Sequence, residues 1–131
     1  MNLGDEFSRE FVITRKIYDG FRELFNDNNP LHVDLEFARA RGFGGVVMHG
    51  NILNGFLSYF IGECLPDKNV IIHSQEIKYY NPAYLDDKLI FTAKVVGVFE
   101  SVGAVEIKFC FEKESGVKVA KGMIQIGRKT V

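Results

Sequence analysis

Apolar residues recur along this chain with two different periods, and the change of period divides it. Phe7 to Ile13 reads as a first strand. From Thr14, whose hydroxyl can cap a helix, Ile17, Tyr18, Phe21, Leu24 and Phe25 follow helical spacing. Gly20 costs that helix about 1 kcal/mol relative to alanine, so the helix depends on what it packs against. Asn26 to Leu31 is turn chemistry, with Pro30 disfavouring helix at the residue before it. Asp34 can cap a short helix running to Arg41, which Gly42 would stop.

The strongest periodic segment comes next. Ile52, Leu53, Phe56, Leu57, Phe60, Ile61 and Cys64 predict a helix of about four turns that opens at Gly50. Its apolar face is wider than that of a surface helix, and small residues such as Gly55, Ser58 and Gly62 fill the remainder. Such a helix is buried on most sides. Beyond Pro66 the period becomes two. Val70–Asn81, Leu89–Val98, Val105–Phe111 and Val117–Ile126 read as consecutive strands, the last two joined through Ser115-Gly116. Val105, Ile107, Phe109 and Phe111 alternate with Glu106, Lys108, Cys110 and Glu112, so one face of that strand is apolar and the other wet. The economical solution is α+β: one curved antiparallel sheet wrapped around one long central helix.

Composition narrows the class of protein. At 131 residues the chain has the size of a single domain, 1–131, with one core. Sixteen Lys and Arg against seventeen Asp and Glu leave a net charge of −1, too little basic excess for nucleic acid. The first ten residues carry acids and no apolar stretch of a secretory leader, and no run is long enough to span a bilayer. Cys64 and Cys110, far apart and in no metal-like spacing, are expected as free thiols in the cytoplasm. Twelve Phe with no Trp point to a generous core, an apolar ligand site or a large subunit interface.

Chemistry concentrates between residues 27 and 50. Asp27-x-Asn29-Pro30-Leu31-His32 puts a carboxylate and an imidazole on one turn, which can bend both side chains toward one point. Spacing alone also admits a plainer reading, in which Asp27 caps a turn and His32 packs as a satisfied histidine. Gly50, opening the buried helix, offers backbone N–H groups that could hold an oxygen developing negative charge. Asn54 and Ser58, on the narrow polar strip of that helix, read either as satisfied buried groups or as supports for the acid–base pair. Other motifs fail. His32, Asp34 and His49 match no metal-ligand spacing, so no metal is expected. Gly42-Phe43-Gly44-Gly45 follows a helical segment and is no dinucleotide fingerprint, and no serine-nucleophile elbow occurs.

The elements Asp27-x-Asn29-Pro30-Leu31-His32, Phe37-Ala38 and His49-Gly50 together resemble the MaoC-like (R)-specific enoyl-CoA hydratases and 3-hydroxyacyl thioester dehydratases. The likeness extends to the order of elements over essentially the whole chain. It implies a hot-dog fold and a hydro-lyase that reversibly hydrates a trans-2-enoyl thioester to an (R)-3-hydroxyacyl thioester. Asp27 and His32 would hold the water, with Asp27 as base and His32 orienting the water and delivering a proton. Gly50 would stabilise the enolate-like oxygen, Ser58 would support the site and Asn29 would hold the loop. The resemblance further implies a homodimer with an acyl tunnel along its seam, and no cofactor beyond the coenzyme A or acyl carrier protein of the substrate. Lys78, Lys88 and Lys121 are candidates to meet phosphates. One departure stands out: Phe25-Asn26 precede Asp27 where the family usually has a small residue and a glycine. Asn26 can adopt left-handed backbone angles in glycine's place, whereas bulky Phe25 is expected to shape the acyl pocket. The competing readings are a non-catalytic acyl-binding or assembly module and, less favoured because Glu63 lies near the far end of the helix, a thioesterase.

Overall fold

The computed structural model describes residues 1–128. Strand β1 (Glu6–Val12) leads into α1 (Arg15–Phe25), then two short helices, α2 (Pro30–Val33) and α3 (Leu35–Ala40). The central helix α4 (Ile52–Tyr59) is prolonged by a π-helical segment, Phe60–Cys64. Four strands follow: β2 (Val70–Tyr79), β3 (Lys88–Phe99), β4 (Ala104–Lys113) and β5 (Lys118–Arg128). All strand pairings are antiparallel, in the order β1-β3-β4-β5-β2.

The local signals act as the residues dictate. Thr14 Oγ1 accepts from the Ile17 N–H at 3.2 Å, and Asp34 Oδ1 accepts from the Phe37 N–H at 3.2 Å. Gly42 follows α3 with φ +87°, a left-handed angle that halts the helix cheaply. Gly116, at φ +88°, turns the β4–β5 hairpin. Two boundaries differ from expectation. The segment around Pro30 is not wholly a turn: proline bars helix before itself but is preorganised to begin one, and Pro30 starts α2 with Asn29 as its cap. The central helix begins at Ile52 rather than Gly50, because the chain enters it through tighter turns in which the Ile52 and Leu53 N–H groups donate to the His49 and Gly50 carbonyls.

The core is the seam between the inner sheet face and α4. Phe11 of β1 stacks on Phe56 of α4 at 4.5 Å between ring centroids, and Phe60 meets Phe7 of β1 and Phe91 of β3 at 5.5 and 4.8 Å. Ile107, Phe109 and Phe111, the alternating apolar residues of β4, are buried among them. Strand β2 behaves differently. It is an edge strand with no fully buried residue, and Ile71 is 56% exposed.

β2 lies close on β5 where glycine permits it. A Cβ on Gly122 would run into the carbonyl of Glu76, a backbone group that cannot swing aside. Gly122→Ala is therefore expected to lower stability by about 1–3 kcal/mol, as overpacking does. Urea denaturation of the purified variant measures this, with hydrogen exchange locating the loss in β2.

Candidate active site

Three chain segments meet at one end of α4. Helix α1 ends on Asn26, whose φ of 53° and ψ of 33° are left-handed, the role expected of it in place of glycine. The turn delivers Asp27, and the Asn29 side chain then caps α2 by accepting from the Leu31 N–H at 3.0 Å. His32 sits in α2. Under this corner passes the extended strip Val47–His49, which is tied to the body of the protein by the Met48 N–H donating to the Ala83 carbonyl at 2.8 Å.

Hydrogen bonds between corner and strip determine how the rings stand. The Val47 N–H donates to the Leu31 carbonyl at 3.0 Å, and His32 Nδ1 lies 2.7 Å from the Val47 carbonyl. A carbonyl only accepts, so Nδ1 carries the proton and Nε2 is left as the working nitrogen. His49 Nε2 lies 2.9 Å from the Asp27 carbonyl and therefore donates to it. The two imidazoles stack at 3.9 Å with 24° between their planes. One nitrogen from each ring and one Asp27 carboxylate oxygen all fall within 4.8 Å of one another.

That span suits a single water held by Asp27 and His32, since two hydrogen bonds of ordinary length bridge it. The same donors have the chemistry of a metal site, but His32 Nδ1 is engaged with the Val47 carbonyl and His49 Nε2 with the Asp27 carbonyl, which leaves the enclosed Nδ1 as the lone pair of His49. Asp34 is occupied as the cap of α3.

Asp27, its side chain 45% exposed, borders an open apolar groove of about 1350 Å³ between α1 and the start of α4. Phe21, Leu24 and Phe25 from α1 and Ile52 and Phe56 from α4 form its apolar walls. Phe25, expected beside the catalytic loop, is 68% exposed with its ring against Phe21 at 4.9 Å. Gly50 borders a separate hollow of about 300 Å³, where its Cα packs on the Tyr79 ring and its carbonyl accepts from the Tyr79 hydroxyl at 3.2 Å. The Gly50 N–H makes no hydrogen bond among the described residues. Ser58 is exposed on α4 and lines neither space. Asn54 ties α4 to the edge strand, bonding Asn51 at 2.7 Å and Gln75 of β2. Glu63 is exposed and paired with Lys68 at 3.5 Å. Of the candidate lysines, Lys88 is engaged by Glu10 and Glu114, whose carboxylates raise its pKa. Lys78 stands opposite Lys121 across β2 and β5, and Lys121 lies over the Tyr80 ring.

Sequence reasoning placed Tyr18 only among the apolar positions of α1. In the structure its phenol donates to the His32 carbonyl at 2.6 Å and to the Val47 carbonyl at 3.2 Å. The available signal was the hydroxyl itself, because a tyrosine on a core face needs a partner for its O–H.

A match to the MaoC like domain covers residues 4–118, and the chain belongs to that family. A mitochondrial 3-hydroxyacyl-[acyl-carrier-protein] dehydratase of Arabidopsis thaliana is 25% identical over 125 residues, 93% of this chain and 74% of that protein. An (R)-specific enoyl-CoA hydratase of Rhodospirillum rubrum is 30% identical over 107 residues, 76% of this chain and 74% of that one. Among solved structures, the (R)-hydratase of A. caviae involved in PHA biosynthesis superposes with a TM-score of 0.89 at 22% identity, covering 98% of both chains. The architecture is thus the expected hot-dog fold, and the expected enzyme class, hydro-lyase, is that of the named relatives.

Burial raises the pKa of Tyr18 above its ordinary 10.0. The unfolded chain therefore loses this proton first on alkaline titration, and the associated stability declines as pH rises above about 10. Tyr18→Phe should remove that dependence. At neutral pH it should cost about 1–3 kcal/mol, because two carbonyls lose their donor. Thermal melts of both proteins from pH 7 to 11 check both effects.

Proposed function

We propose that this protein catalyses the reversible hydration of trans-2-enoyl thioesters to (R)-3-hydroxyacyl thioesters. The observation that carries this is the placement of the Asp27 carboxylate and the His32 ring within one water's reach, with His32 Nδ1 committed to the Val47 carbonyl. The names of the relatives support the same reaction. Asp27 takes a proton from the water as its oxygen bonds to Cβ, and that proton passes from Asp27 to His32 Nε2, which orients the water by accepting from it and then delivers the proton to Cα. Electron density moving toward the thioester oxygen is met by the unengaged Gly50 N–H. Delivery to Cα leaves Asp27 a carboxylate and His32 in its Nδ1–H form, ready for the next water. Asn29 keeps the corner folded by capping α2; a supporting role for Ser58 rests on the family resemblance alone, since its side chain is exposed on α4 outside the groove.

The substrate is an acyl thioester of coenzyme A or of an acyl carrier protein, and no further cofactor takes part. Of the candidate lysines, Lys121, which has no ion pair among the described residues, is the one proposed to meet phosphate, with Lys78, exposed and paired with Glu76 at 3.9 Å, opposite it. The exposed apolar edge strand β2 supports pairing with a second copy into a homodimer, since such an edge is otherwise an open template. The free thiols Cys64 and Cys110 are in keeping with the cytoplasm. No helix among the described residues is long and apolar enough to cross a membrane.

The purified protein should hydrate crotonyl-CoA, followed by loss of the conjugated enoyl-thioester absorbance. Asp27→Asn should lower the rate about 10²–10⁴-fold with its melting temperature preserved, the share expected of a general base. Absence of turnover with every short and medium enoyl-CoA or carrier-protein substrate would refute the assignment. Phe25→Ala should shift the preferred acyl length upward in a chain-length series, and an unchanged profile would remove Phe25 from the acyl wall.

A further inference from the structure

His49 is the buried polar side chain of the core, only 2% exposed. Three aromatic rings surround it: His32 at 3.9 Å, Phe21 at 5.0 Å and Tyr18 at 5.9 Å. Its Nδ1 is fully enclosed and has no hydrogen-bond partner among the described residues. Burying an imidazole nitrogen without a partner costs folding free energy. A phenylalanine could fill an aromatic cage of this kind without that cost, so packing alone does not account for the residue.

What an imidazole adds is the contact at its other nitrogen. Nε2 donates to the carbonyl of Asp27 at 2.9 Å and stands 4.0 Å from the Asp27 carboxylate. The carbonyl belongs to the first residue after the left-handed turn at Asn26; the Asp27 N–H closes α1 on the Arg22 carbonyl at 3.2 Å and the Asp27 carboxylate accepts from the Asn29 N–H at 3.4 Å, so the carbonyl is the remaining polar group, and His49 holds it. Holding it restricts the plane of that peptide and hence the direction in which the Asp27 side chain leaves the backbone. The face of the same imidazole is the surface on which the His32 ring lies, so rotation of His32 away from the Val47 carbonyl would break the stack. One side chain therefore restrains both groups assigned to the acid–base pair, one by a hydrogen bond and the other by its ring face.

We infer that His49 is a positioning residue, which acts through Asp27 and His32 and holds their separation at the span of one water. This inference rests on the proposed hydratase reading for its kinetic consequence but not for its structural one. Misplacement of reacting groups by about 1 Å costs on the order of a hundredfold in rate.

The test uses the full chain and two variants, with folding monitored by thermal melts. His49→Phe keeps a ring in the cage and removes the donor. His49→Gln restores an N–H near the position of Nε2. With crotonyl-CoA, His49→Phe should lower kcat about a hundredfold with KM changed by less than about threefold, and His49→Gln should recover most of the loss. Equal kcat in wild type and His49→Phe, or a glutamine variant no better than phenylalanine, would overturn the inference. Long-range ¹H–¹⁵N spectra of the imidazole rings give a readout independent of turnover. In the unmodified protein His49 should carry its proton on Nε2 and His32 on Nδ1, and His32 should lose that single-tautomer signature in His49→Phe. A His49 protonated on Nδ1 alone in the unmodified protein, or a His32 signature unaffected by the substitution, refutes positioning. Absence of turnover by wild type, with these spectra as expected, counts against the hydratase reading and leaves the positioning of His32 standing.

Discussion

The carbonyl of Val47 accepts two hydrogen bonds, one from His32 Nδ1–H at 2.7 Å and, at 3.2 Å, the longer branch of the one that the Tyr18 hydroxyl shares with the His32 carbonyl. The arrangement of the site depends on this shared acceptor. It lies on an extended strip whose next residue is tied to the Ala83 carbonyl and which pairs with Tyr84 through a β-bridge. The corner carrying Asp27 and His32 is otherwise short: a left-handed residue, a few polar residues and one turn of helix. So small a segment has too few backbone hydrogen bonds of its own to hold two side chains within a water's reach. Bonds from Tyr18, Val47 and His49 supply that restraint from outside it.

The aromatic content follows from the same architecture. Phe7, Phe11, Phe56, Phe60, Phe91, Phe109 and Phe111 form a continuous set of ring contacts between the sheet and the central helix. A small domain with one helix to enclose gains from large flat side chains that bury much area with few rotors. Phe21 and Phe25 are of another kind. They stand on α1 facing the groove that Asp27 borders, and Phe21 also touches His49. The core rings fix the helix against the sheet, while these two connect the apolar groove to the corner that carries Asp27 and His32.

Much of this was legible along the chain, because its signals are local. Thr14 and Asp34 cap the helices whose spacing they precede, Gly42 and Gly116 occupy left-handed turns, and the alternation from Val105 to Phe111 sorts into buried and wetter positions. Asn26 takes the backbone angles that its side chain tolerates. The misplaced boundaries have equally local causes. Pro30 both ends and begins regular structure, and the turns after His49 delay the start of α4 past Gly50.

Residue spacing and type alone determined the order of elements and the two-layer arrangement, since period, caps and turn residues are properties of neighbours in the chain; spacing left Asp27 and His32 open between a turn cap with a packed histidine and an acid–base pair, and the family resemblance of the motif selected the pair. Only the tertiary structure decided which histidine nitrogen is committed, where Gly50 and Ser58 stand relative to the groove, and that Tyr18 and His49 belong to the site. These facts rest on contacts between residues 14 to 29 positions apart. Such contacts form only when the sheet has closed on the helix and brought the strip beneath the corner. An imidazole in the sequence states neither its tautomer nor its neighbours, and the packing around it settles both.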